Sequence, residues 1–119
     1  MSIRLITSAA SVVALLGAFA SPVVFSASAA ELAEGKRLAF DRKLGNCLTC
    51  HMIAGGQASG NLGPPLIAMK ARFPDKKVLR AQIWDSNVKN PASAMPPFGR
   101  HKILTEKQID LVTDYIHSL

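Results

Sequence analysis

Two cysteines stand three residues apart with a histidine directly behind the second, Cys47-Leu-Thr-Cys50-His51, and the chain has no others. No other feature narrows so sharply what this chain can become. Thiols at that spacing serve three kinds of chemistry. A thioredoxin-type redox disulfide needs a strand-to-helix junction within a βαβ pattern, and nothing upstream of Cys47 alternates like a strand. A structural zinc site needs four ligands; His101 and His117 are the other histidines, and their spacing of 16 matches no ligand pair. The third reading, for which C-x-x-C-H is the specific signature, is covalent attachment of haem. Two thiols add across the two vinyl groups of one porphyrin edge, and the two-residue spacer lets one turn of chain span that edge. The histidine that follows is then held beneath the iron as its proximal ligand.

The N-terminal segment indicates the compartment. Arg4 supplies one positive charge ahead of an uncharged run from Leu5 to Ala30, whose apolar heart is Leu5 to Ala20. Ser21-Pro22 breaks the run, and Ala27-Ser28-Ala29 sets small residues at the −3 and −1 positions of a signal-peptidase site. The run is long enough for an uncleaved anchor, but Pro22 and the serines at 21, 26 and 28 make its last third a poor membrane span. Residues 1–29 are therefore expected to be a cleaved signal peptide, with 30–119 the mature domain in the periplasm. The segment holds no cysteine, so lipid attachment at a signal-peptide cysteine is excluded.

Hydrophobic residues make up 49 % of the whole chain but 43 % of residues 30–119, the composition of a soluble domain. The net charge of +6, on an exported protein, points to an acidic protein partner and removes nucleic acid from the partners expected. A mature chain of about 90 residues is short of core and commonly leans on a metal, a disulfide or a cofactor.

Over 31–119 the chain resembles the class I cytochromes c, on the haem motif and on Gly63-Pro64-Pro65-Leu66 after it. The resemblance implies a small all-α fold whose helices pack around one covalently bound haem c. It also implies thioether links at Cys47 and Cys50, and a Pro64 carbonyl that accepts the Nδ1–H of His51 and fixes the ring. For the sixth ligand Met95 leads. It lies in Pro91-Ala-Ser-Ala-Met95-Pro96-Pro97-Phe98, where the prolines stiffen the loop and push Met95 toward extended backbone. A thioether is a weak iron ligand, so a stiff loop lowers the ordering cost of presenting it. Met52 abuts the proximal histidine, Met69 suits a gap-filling core role, and His101 would give a bis-histidine site of lower potential.

Strands are absent from the pattern, and three helices stand out. Glu31 to Asp41 forms the first, with Leu32, Gly35, Leu38 and Ala39 on one face; the family resemblance makes Gly35 the point where the C-terminal helix crosses. Asp75 caps a middle helix with Val78, Leu79 and Ile83 as its buried stripe, and Trp84 belongs to the core. Thr105 and Gln108 form a capping box for the last helix, in which Ile109, Val112, Ile116 and Leu119 repeat at helical spacing. His117, one residue off that stripe, is expected in solvent.

The run from Asn90 to Thr105, with Trp84-Asp85 before it and Ile109 to Leu119 after it, resembles SoxX, the small monohaem subunits of the SoxAX cytochromes of bacterial sulfur oxidation. That resemblance is strongest from 74 to 119. It implies an electron-transfer subunit of a heterodimeric L-cysteine S-thiosulfotransferase. A SoxA-like cytochrome subunit would be its partner, a SoxYZ-like carrier would receive thiosulfate on a cysteine, and a downstream cytochrome c would take the electrons. The residues agree on one point. With both cysteines joined to haem and His51 and Met95 filling both axial positions, no thiol nucleophile or open iron remains for catalysis by this chain alone. A free soluble periplasmic carrier serving an oxidase or reductase is the competing reading, and Lys89, Arg100 and Lys102 are expected to form a basic rim in either case.

Overall fold

The computed structural model describes residues 26–119 and, among them, contains helices and turns but no strand. The segment 1–25, which holds most of the expected signal peptide, lies outside the described residues.

Helix α1 spans Ala29–Phe40. Ser28 and Glu31 close a capping box at its start, each side chain bonded to the other's backbone N–H, so two of the helix's orphan donors are satisfied. The domain boundary expected at 29/30 thus falls in the first turn of this helix. Two short helices follow, α2 at Met69–Arg72 and α3 at Lys76–Trp84, then α4 at Glu106–His117. Asp75 caps α3 by accepting from the Lys77 N–H, and Thr105 with Gln108 forms the capping box of α4. Single 3₁₀ turns occupy Cys47–Thr49 and Ser86–Val88.

The frame of the molecule is the crossing of α1 with α4. Gly35 sits where the helices meet, and a Cβ there would overlap the Leu111 carbonyl. Around this point Leu38, Ala39, Ile109, Val112 and Ile116 are buried. The Phe40 and Tyr115 rings meet edge to face with centroids 6.1 Å apart. Each large aliphatic side chain so buried contributes about 1.5–3 kcal/mol. Helix α3 rests on the other side of the frame through Leu79 and Ile83, held by the ion pairs Lys76–Asp114 and Arg80–Asp110.

Two expectations are corrected. Val78 is exposed, because the inward stripe of α3 runs through Leu79, Gln82 and Ile83, which face the cavity described below. His117 is half-buried, its Nε2 lying 3.0 Å from the Phe73 carbonyl. Its offset from the stripe turns the ring toward the α2–α3 connection, which the main-chain bond from the Met69 N–H to the Leu119 carbonyl draws against the end of α4.

Candidate cofactor site

Asn46 leads into the 3₁₀ turn Cys47–Thr49 in the left-handed region, at φ 48°, and the Cys47 carbonyl accepts from both Cys50 and His51 N–H groups. One tight turn therefore carries both sulfurs and the imidazole. The two sulfurs are not bonded to each other. The setting also lacks the strand that a redox disulfide would need.

Chain 60–66 runs back alongside this turn. Gly60 N–H donates to Leu48 O, Gly63 N–H to Cys50 O and Leu66 N–H to Met52 O, all at 2.8–2.9 Å. That register brings the Pro64 carbonyl 2.7 Å from His51 Nδ1. Nδ1–H donates, and Nε2 is left as the nitrogen able to bind a metal. Gly63 lies flat against the imidazole, and any Cβ there would overlap the ring.

Beside the turn a cavity of about 660 Å³ opens, within the roughly 300–1,000 Å³ typical of cofactor sites. Cys47, Cys50, His51, Pro64 and Met95 all line it. So do the apolar side chains of Leu66, Met69, Leu79, Ile83, Val112 and Ile116, which belong to every helix except α1 or to the loops between them. Met69 is fully buried in α2, while Met52 faces solvent and His101 is exposed and does not reach the cavity. Burial pushes the Cys47 thiol up to about 11, so this sulfur sits uncharged, an environment suited to a thioether. Arg42 and Arg72 line the cavity and no carboxylate does.

Residues 32–119 match the model of the cytochrome c family. The chain belongs to that family. Its cofactor is haem c, and the cavity fits it: two sulfurs and one oriented imidazole on a single turn, an apolar body, and two guanidinium groups to meet the negative propionates. This cytochrome c is also 35 % identical over 78 residues to an uncharacterized lipoprotein of Aquifex aeolicus (strain VF5). The match takes in 63 % of this chain and 37 % of that protein, so the chain spans little more than a third of the length of this relative.

Two parts of the cytochrome's site were not evident in its sequence. Ser86 is completely buried and bonds the backbone of Met95. Arg100, expected in the basic rim, is paired with Asp85 at 2.9 Å and also reaches Asn87 Oδ1, so its charge is spent bracing the methionine loop. In the same loop Asn87 Nδ2 donates to the Pro91 carbonyl and Asn90 Oδ1 accepts from the Ala92 N–H.

Proposed function

We propose that this cytochrome c relays electrons as a SoxX-like subunit of a SoxAX complex in the periplasm, after export on the segment 1–29. Haem supplies a one-electron centre when bound. Cys47 and Cys50 would hold it through thioethers, His51 and Met95 would bind its iron, and Pro64 would orient the His51 ring. The observation that supports electron relay is that both thiols and both candidate iron donors line one cavity; the SoxX-like role, with thiosulfate chemistry on a SoxA-like partner and a SoxYZ-like carrier, rests on the sequence resemblance over 74–119. A downstream cytochrome c accepts the electrons.

Charge distribution favours a protein partner at the cavity. Segments 42–74 and 86–105 contain seven Lys or Arg and no acid. All eight carboxylates lie on α1, α4 and the caps beside the helices. Arg42, Lys43, Lys70, Lys89 and Lys102 have no ion-pair partner among the described residues. Such a surface attracts an acidic protein and fixes its orientation. The same surface would serve a free soluble carrier, the second reading.

The native mass of the haem-stained species from sulfur-grown cells, with its subunits identified, separates the two. Co-migration with a larger cytochrome, together with thiosulfate-dependent haem reduction, supports the SoxX role. Migration at the size of the mature chain at every salt concentration overturns it in favour of the free carrier.

A further inference from the structure

The loop that carries Met95 is poor in main-chain hydrogen bonds. Pro91, Pro96 and Pro97 have no N–H to give, and among the remaining residues from 91 to 98 only Ser93 N–H reaches a main-chain acceptor, the Asn90 carbonyl at 2.9 Å. Side chains take over. Ser93 Oγ accepts from the Met95 N–H at 3.2 Å, and Asn87 Nδ2 donates to the Pro91 carbonyl at 3.3 Å. The shortest of these bonds comes from Ser86, whose Oγ–H donates to the Met95 carbonyl at 2.6 Å while its residue is wholly buried. Ser86 is itself anchored. It opens the 3₁₀ turn that Asp85 caps by accepting from the Asn87 N–H, and its own carbonyl accepts from Asn90 N–H.

The geometry points to Ser86 as the positioning residue for Met95, the group that holds this methionine's backbone in place so that its sulfur stays at the iron. The inference rests on Met95 being the sixth ligand. A thioether binds iron weakly, so retention of the ligand depends on how firmly the loop resists swinging away. Proline on its C-terminal side removes the main-chain bond that would otherwise share this task. Deleting the hydroxyl leaves a carbonyl without its donor in the closed loop only, since a swung-out loop lets water satisfy it. The closed state alone is penalised, and displacement of Met95 becomes easier.

The test uses ferric holoprotein and imidazole as competing ligand, followed by the charge-transfer absorption of the iron–thioether bond. Ser86→Ala is expected to lower the imidazole concentration needed for half-displacement by about tenfold, the effect of losing one buried bond. Ser93→Ala, at a half-buried position that tolerates truncation, is expected to shift it in the same direction by a smaller factor. Thr113→Ala is the control for general destabilisation, because the Thr113 hydroxyl is buried and spent on the Ile109 carbonyl of its own helix; it is expected to leave the midpoint unchanged. If the parent shows no thioether band, or Met95→Ala keeps it, the ligand reading fails and this inference with it. If the parent band is present and Ser86→Ala does not move the midpoint, or Thr113→Ala moves it equally, the positioning role of Ser86 is overturned while Met95 remains the ligand.

Discussion

Gly35 of α1 lies against the Leu111 carbonyl and the Tyr115 Cβ of α4, closer than any residue with a side chain could come. The atoms it meets are backbone or nearly so and cannot swing aside. Gly35→Ala gains up to about 1 kcal/mol of helix propensity, yet it forces apart the two helices that frame the fold. The net expectation is a loss of about 1–3 kcal/mol, measured as a lower guanidinium midpoint of the holoprotein by circular dichroism. A variant as stable as its parent would show that the crossing has slack.

Removal of haem should have a larger effect. Buried side chains from α2, α3 and α4 turn part of their surface to the cavity, so without the cofactor the chain would enclose a void of about 660 Å³. Cys47→Ser with Cys50→Ser, expressed without attached haem, is expected to lose most helical ellipticity. A native-like spectrum would contradict the view that the cofactor completes the core.

With His51 as the proposed iron ligand, the bond from its Nδ1–H to Pro64 O would make the imidazole a stronger donor and thereby favour the ferric state. Gly63→Ala pushes a methyl into the ring and should weaken that bond without severing the thioethers. The haem therefore stays attached in denaturing gels, and the reduction potential rises by tens of millivolts, about 59 mV marking a tenfold change for one electron. Spectroelectrochemical titration reads this directly; an unchanged or lowered potential would mean that the ring does not depend on Pro64 for its electronics.

What the sequence made legible is what local chemistry dictates. The spacing of Cys47, Cys50 and His51 is set by the width of one porphyrin edge, and Thr105 with Gln108 caps a helix within four residues of chain. Family resemblance supplied Pro64 and Gly35, and the fold sets the first against His51 and the second under Leu111. Ser86, Arg100 and His117 were misjudged or missed for one common reason. Each is defined by a partner supplied by folding, the Met95 carbonyl, the Asp85 carboxylate and the Phe73 carbonyl, and neither periodicity nor composition encodes such pairings. Val78 shows the limit of helical spacing itself: an apolar residue beside the stripe fits the pattern equally well until the cavity defines which face is inward.

At the start of α1, hydrogen bonds from Ser28 hold the Glu31 carboxyl below its ordinary value of 4.5. Because the folded value is the lower one, the capping box stabilises the helix at pH above 4.5 and the contribution is lost as pH falls through the folded value. Processing after Ala29 would remove Ser28. In a chain starting at Ala30, Glu31 is therefore expected to titrate nearer its ordinary value than in a chain that retains Ser28. Carboxyl chemical shifts of the two forms check this, and equal titration would mean that the box has no hold on Glu31.

The unpaired cations around the cavity make a last prediction. Lys89 and Lys102 belong to the methionine-loop segment that holds no acid, and their chain neighbours Asn90 and Ile103 line the cavity, whereas Lys36 lies on α1, which contributes no residue to the cavity wall. An anionic oxidant such as ferricyanide should be steered toward the first pair, with a rate that falls as added salt shortens the Debye length below about 8 Å. Lys89→Glu and Lys102→Glu should each slow the low-salt reaction several-fold and flatten its salt dependence. Lys36→Glu makes the same change in net charge and should do markedly less. Equal effects from all three variants would mean that net charge alone governs the encounter and that electrons have no preferred point of entry.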